Sequence, residues 1–158
     1  RLHSEDLEVG QSWRSPLRTI SQADVIEFAR LTGDDDPLHR IDSENESTID
    51  DDAARSPFGK PVAHGLLGLG VLAGLGVRYP HAATLALVGI EDWQFDNPVY
   101  IDQQVRVETT IESITPYGRR ASRVVWLRRL IDDDGRQLQH GRFITLVATR
   151  GVNPRRPR

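Results

Sequence analysis

Residues 64–77 limit the fold more than any other part of the chain. They read HGLLGLGVLAGLGV, with leucine, valine and alanine at every angle around a helical wheel. A helix that is apolar all round has to be buried. Gly65, Gly68, Gly70, Gly74 and Gly76 interrupt it. Each costs a helix interior about 1 kcal/mol against alanine. Their number implies close approach by a sheet, another helix or a ligand. The stretch is too short and too interrupted to span a bilayer, which takes about 20 apolar residues. Pro80 closes it, and the apolar period then switches to two. Residues 84–95, 103–115, 119–131 and 137–149 read as strands. In the second of these, Val105, Val107, Thr109 and Ile111 alternate with Arg106, Glu108, Thr110 and Glu112. Pro116-Tyr117-Gly118 and Asp132-Asp133-Asp134-Gly135 are turn sequences between strands. The pattern predicts an α+β domain in which one antiparallel sheet wraps the apolar helix, because nothing else in the chain can cover it.

The remaining segments fit a single domain over residues 1–150, as a length of 158 residues allows. Residues 13–20 read as a first strand. Ser21 and Asp24 stand at capping-box spacing, and Gly33 suits a left-handed helix end, which predicts a helix over 22–32. Residues 34–59 are polar and irregular, with a short helix expected over 49–55. The end of the chain, GVNPRRPR at 151–158, has almost nothing to bury and reads as a disordered tail. Absence of cysteine excludes disulfides, thiolate metal sites and a cysteine nucleophile. A net charge of -3 argues against nucleic acid or an anionic membrane as a bulk partner. No charged segment followed by an apolar one opens the chain, so a cytoplasmic protein is expected.

Two segments carry chemistry. The first is Leu31-Thr32-Gly33-Asp34-Asp35-Asp36-Pro37-Leu38-His39. With a helix ending at Gly33 and Pro37 stiffening the turn, Asp34 and His39 can converge and grip one water between carboxylate and imidazole. On spacing alone a capping and turn cluster is the favoured reading, since aspartates favour such turns. The second is Pro61-Val62-Ala63-His64-Gly65-Leu66-Leu67. It opens the apolar helix, where backbone N–H groups lack partners and the dipole is positive. Gly65 there either exposes an N–H that polarises a carbonyl or serves packing alone. Asp50, Asp51 and Asp52 lack the glycine and glutamate of a calcium loop, so no metal site is assigned. His3, His81 and His140 carry no pattern.

Taken together, GDDDPLH and PVAHGLL resemble the paired motifs of the MaoC-like dehydratases, the (R)-specific enoyl-CoA hydratases of the hot-dog fold. Those motifs run roughly (S/T)GDxNP(L/I)H and then (I/V)AHG(M/L). Likeness extends over residues 9–149, with Asp96-Asn97-Pro98-Val99 resembling the family's entry to the strand meander. It implies a hot-dog fold and reversible syn addition of water to a trans-2-enoyl thioester, giving a (3R)-hydroxyacyl thioester. By that likeness Asp34 and His39 match the catalytic pair, in roles the sequence does not apportion. Gly65 matches the residue whose N–H binds the thioester oxygen. Asp36, Pro37 and His64 fall within the substrate-binding motifs, and His64 is expected to hold loop backbone near the helix start. No metal or redox cofactor is implied; coenzyme A or acyl carrier protein belongs to the substrate. The family also implies a homodimer with a continuous sheet. This chain departs from the pattern at Asp36, in place of asparagine, and at Ile41 and Ala73, in place of aspartate and serine. Its loop between His39 and His64 is longer and more acidic than usual.

Coenzyme A also needs cations near the pocket mouth. Of 20 basic residues only Lys60 is a lysine, so arginine must supply them. At least one of Arg119, Arg120, Arg128 and Arg142 is expected to contact the nucleotide. Strand alternation puts Arg128 and Arg129 on opposite faces, so only one of those two can point to a given site. Two other functions compete: an acyl-CoA thioesterase, and a non-catalytic acyl-binding subunit of a heteromer. The intact Asp34 and His39 argue against both.

Overall fold

The computed structural model describes residues 1–41 and 57–151. The short helix expected over 49–55 and nearly all of the tail lie outside them. The elements are β1 (Ser12–Arg14), β2 (Arg18–Thr19), α1 (Gln22–Thr32), α2 (Gly65–Gly76), β3 (Thr84–Phe95), β4 (Gln104–Tyr117), β5 (Ala121–Asp132) and β6 (Gln137–Ala148). They form one antiparallel sheet in the order β1-β4-β5-β6-β3, with β2 also paired to β4.

The N-terminal strand is two strands rather than the single one expected over 13–20. Ser15 is still tied to β4: its N–H donates to Val107 O at 2.9 Å, and its Oγ accepts from Val107 N at 3.0 Å. Pro16 has no N–H to offer the ladder, so pairing resumes only at Arg18. Helix α1 occupies the residues expected of it. Ser21 Oγ accepts from Asp24 N at 3.1 Å, and the Asp24 carboxylate accepts from Ser21 N at 2.9 Å. Gly33 ends the helix at φ 80°, a left-handed conformation that favours glycine.

Strand β4 alternates as the sequence predicts up to its bulge. Val105, Val107, Thr109 and Ile111 are all buried, and Glu108 and Glu112 face outward. A bulge between Ile111 and Ser113 gives β4 one residue more than β5 at that point. Helix α2 packs on β4 and β5, over a core that includes Leu72, Val105, Val107, Ile111, Trp126, Leu130 and Phe143.

Cover on every side of α2 is not what this chain provides. Gly68, Val71, Leu72 and Gly76 are buried, whereas Leu66, Gly70, Gly74 and Val77 form an exposed stripe. Two of the glycines are explained by contact. A β-carbon on Gly68 would stand 2.5 Å from the Gln139 side chain, and one on Gly76 would stand 2.6 Å from the Arg128 guanidinium. Beside Gly70 and Gly74 there is open space.

Candidate active site

The site is built where α1 ends and α2 begins. After Gly33, Asp34 N donates to Thr32 Oγ1 at 3.2 Å, which folds the chain back on the last turn of α1. Asp36 Oδ1 accepts from Leu38 N at 2.9 Å and so caps a single 3-10 turn, Pro37–His39. Proline at its first position has no N–H to leave unpaired. The turn delivers His39 toward the segment leading into α2, where His39 Nδ1 lies 2.7 Å from Val62 O. A carbonyl can only accept, so Nδ1 carries the hydrogen, and in the neutral ring Nε2 keeps its lone pair.

The segment before α2 is pinned on its other side, since Ala63 N donates to Val99 O at 2.7 Å. His64 follows and is 2 % exposed. Its ring stacks on His39 with centroids 3.8 Å apart and packs against Phe28 of α1 at 4.8 Å. His64 Nε2 donates to Asp34 O at 2.9 Å, so this histidine does hold the loop backbone at the helix start. Its Nδ1 is buried without a partner. One polar side-chain atom from each of Asp34, His39 and His64 falls within 4.8 Å of the others. The exposed Asp34 carboxylate thus stands beside an imidazole whose Nδ1–H is held by the backbone. That arrangement can hold a water and move its proton.

Gly65 opens α2, whose first N–H groups have no intrahelical acceptor. Phe95 of β3 closes over it: a β-carbon there would meet the ring at 3.0 Å. Gln139 sets the depth of this helix end. It is 1 % exposed, donates from Nε2 to Gly65 O at 2.9 Å, and accepts at Oε1 from Trp93 Nε1 at 3.2 Å. Sequence reasoning missed Gln139, which stands among other polar residues of its strand, Gln137, His140 and Arg142, and gave no signal of its own. It also passed over His140, whose Nδ1 lies 2.7 Å from Asp96 Oδ2.

Asp34, Asp36, Pro37, His39, His64 and Gly65 therefore form one locus. The four arginines do not share a rim. Arg119 and Arg120 are exposed in the β4–β5 turn. Arg142 lies on the outer sheet face and is held by Glu112 and Asp92, with N–O distances of 2.7 Å to each. Those carboxylates push its already high pKa further up, hydrogen bonding to Glu112 contributing most. Arg128 is 7 % exposed beneath the C-terminal end of α2. Arg129 faces out to Glu108, so alternation separates the pair as expected.

An antiparallel sheet packed on a glycine-rich helix, with an aspartate–histidine locus at that helix's start, defines a hot-dog fold. The chain belongs to the MaoC-like domain family, whose model matches residues 6–127. It is 37% identical over 121 residues to a 3-hydroxybutyryl-CoA dehydratase of Methylorubrum extorquens, covering 76% of this chain and 70% of that one. It is 28% identical over 148 residues to an (R)-specific enoyl-CoA hydratase of Rhodospirillum rubrum, covering 93% and 92%. Among solved structures, a Mycobacterium tuberculosis protein described as a double hot-dog fold superposes with a TM-score of 0.77 at 18% identity, over 99% of this chain and 46% of the other. That likeness bears on the fold alone. Hydratases and dehydratases are hydro-lyases, and this chain is an enzyme of that class. Among the described residues no helix is long and apolar enough to cross a membrane.

Proposed function

We propose that this chain catalyses reversible addition of water to a trans-2-enoyl thioester of coenzyme A or acyl carrier protein, forming the (3R)-hydroxyacyl thioester. The observation that carries this reading is the backbone-held ring of His39 beside Asp34. Val62 O accepts the Nδ1 hydrogen, and a ring nitrogen of His39 lies within 4.8 Å of an Asp34 carboxylate oxygen. Asp34 and His39 position one water. Its oxygen bonds to C3, one of its protons is taken by the pair, and a proton from the pair is delivered to C2. Gly65 N–H, at the positive end of α2, polarises the thioester carbonyl as electron density shifts onto its oxygen. Asp36 and Pro37 keep the catalytic turn closed, and His64 ties Asp34 to the helix start. Arg119 and Arg120, which make no ion pair among the described residues, are the arginines assigned to the nucleotide phosphates of coenzyme A. The functional unit is a homodimer, and the cell's soluble interior is its compartment.

Crotonyl-CoA tests the reading directly. Loss of enoyl absorbance with no release of free thiol is the expected result. Thiol release would indicate a thioesterase. Neither change, across short and medium acyl chains, would make the protein an acyl-binding subunit.

A further inference from the structure

Arg128 stands out because the mechanism above does not use it and no carboxylate among the described residues answers it. It is 7 % exposed, and burial pushes its pKa down to about 10, so it is still a cation at neutral pH. A guanidinium has five N–H donors. The contacts here are one long hydrogen bond from a terminal nitrogen to Gly76 O at 3.4 Å, and the ring faces of Phe143 and Trp126 at 4.7 and 5.9 Å. Its Nε is buried with no partner. Among the described residues it makes no ion pair within 4.0 Å. The C-terminal end of α2 and the two rings offset only part of the cost of burying a charge. Buried charges are ordinarily paired, because desolvation without a counter-ion costs several kcal/mol.

The same guanidinium lines a cavity of about 260 Å³. Apolar side chains, Val77, Leu87, Trp126 and Phe143 among them, form much of its wall. Arg1 and His81 add further polar groups, and among the described residues neither aspartate nor glutamate lines it. An apolar wall with an unanswered cation at its base is complementary to an anion on an apolar stem. The cavity also lies at the far end of the strand and helix that meet at the candidate active site. Phe95 at the end of β3 covers Gly65 at the start of α2, while Thr84 and Leu87 at the start of β3 line the cavity with Gly76 and Val77 at the end of α2. Strand and helix therefore run side by side, and Gly65 and Gly76 are about 16 Å apart along the helix axis.

We infer that the Arg128 cavity is a carboxylate-binding site, for a carboxylate carried on an apolar stem. That carboxylate is either the far end of an acyl group whose thioester sits at Gly65, or a free short-chain acid held beside the substrate. The first source rests on the hydratase reading; the second does not.

Calorimetry with hexanoate and with hexan-1-ol tests the site on the whole chain. Hexanoate should bind on the order of ten- to a hundredfold more tightly, the usual worth of charge-assisted hydrogen bonds. Arg128→Met should erase that preference, and Arg128→Lys should keep part of it. In parallel, 2-enoyl-CoA thioesters ending in a carboxylate are compared with methyl-ended ones of equal length. A kcat/KM preference for the carboxyl-ended series that disappears in Arg128→Met identifies the acyl group as the source. Hexanoate selectivity without that preference identifies a free acid. Equal binding of hexanoate and hexan-1-ol together with no thioester preference overturns the inference. If Arg128→Met does not fold, the two comparisons in the unaltered chain still decide. If no thioester is hydrated at all, the hydratase reading fails, while the calorimetry still decides the site.

Discussion

Asp34 and His39 illustrate what a single residue contributes here and what it borrows. Asp34→Asn removes the carboxylate but keeps the side chain's size. His39→Ala removes the lone-pair nitrogen and the stacking partner of His64. Each should lower kcat on the order of 10²–10⁴-fold, the scale of acid–base assistance, with circular dichroism unchanged. Near-normal hydration of crotonyl-CoA by either variant would remove that residue from the mechanism. Arg119 and Arg120 should behave differently. Exposed phosphate contacts are screened by salt, so the double change to glutamine should raise KM for a coenzyme A substrate and leave kcat nearly unaltered. An unchanged KM would place the nucleotide elsewhere. Much of the site's local geometry was legible in the sequence. The Ser21–Asp24 box, the left-handed Gly33 and the Asp36-capped turn all follow from neighbours in the chain. The role of His64 was legible only in outline, because the atom it holds, Asp34 O, lies 30 residues away.

At the scale of elements, period predicted type well and partners less well. Alternation separated Arg128 from Arg129, but it does not say which one enters the core. That depends on α2 lying across β5 and on Glu108 waiting on the outer face. Glu108 receives Arg129 from β5 and Arg14 from β1, and so ties β4 to both its neighbours. Partial burial raises its pKa, but hydrogen bonds from Arg129 and Arg14 outweigh this and leave it below the ordinary value of 4.5. A carboxylate depressed by folding contributes its full stability above that ordinary value and loses it as pH falls through the folded one. Glu108→Gln should therefore lower Tm at pH 7, and the gap should close in acid below the usual carboxylate range. The arginines are 62% and 50% exposed, so the pairs together contribute roughly 0.2–1 kcal/mol, a few degrees at most. A gap that is constant with pH would show that Glu108 acts through packing rather than charge. Gly68 is a second element-level case. A methyl there would displace the buried Gln139 amide and break its bond to Gly65 O. Gly68→Ala should cost roughly 1–3 kcal/mol despite alanine's better helix propensity, read as a lowered Tm.

The whole molecule has an apolar face that the isolated chain leaves open. Among the described residues β3 pairs only with β6 and is an edge of the sheet. Leu85, Leu87 and Val88 on it are 60%, 54% and 52% exposed, which a lone edge strand rarely sustains without inviting another strand. The exposed stripe of α2 lies alongside. Phe95 covers Gly65 at one end of the strand, and Leu87 shares a cavity with Val77 at the other. Sequence periodicity could not reveal this face. It made α2 apolar all round, which a single sheet cannot satisfy, and the missing cover is what a second copy would supply. A two-fold partner pairing β3 with β3 would extend the sheet and lay each α2 stripe against apolar surface in one step. It would also explain why Gly70 and Gly74 are tolerated with open space beside them. Sedimentation at micromolar concentration should give a particle of twice the 17.8 kDa chain mass. Leu85→Glu with Val88→Glu places four like charges at the two-fold contact and should shift the protein to monomer. Far-ultraviolet circular dichroism should keep its sheet signal, since neither side chain is in the core of the single chain. A stable monomer of the unaltered protein, or a dimer indifferent to both glutamates, would put the contact on another surface.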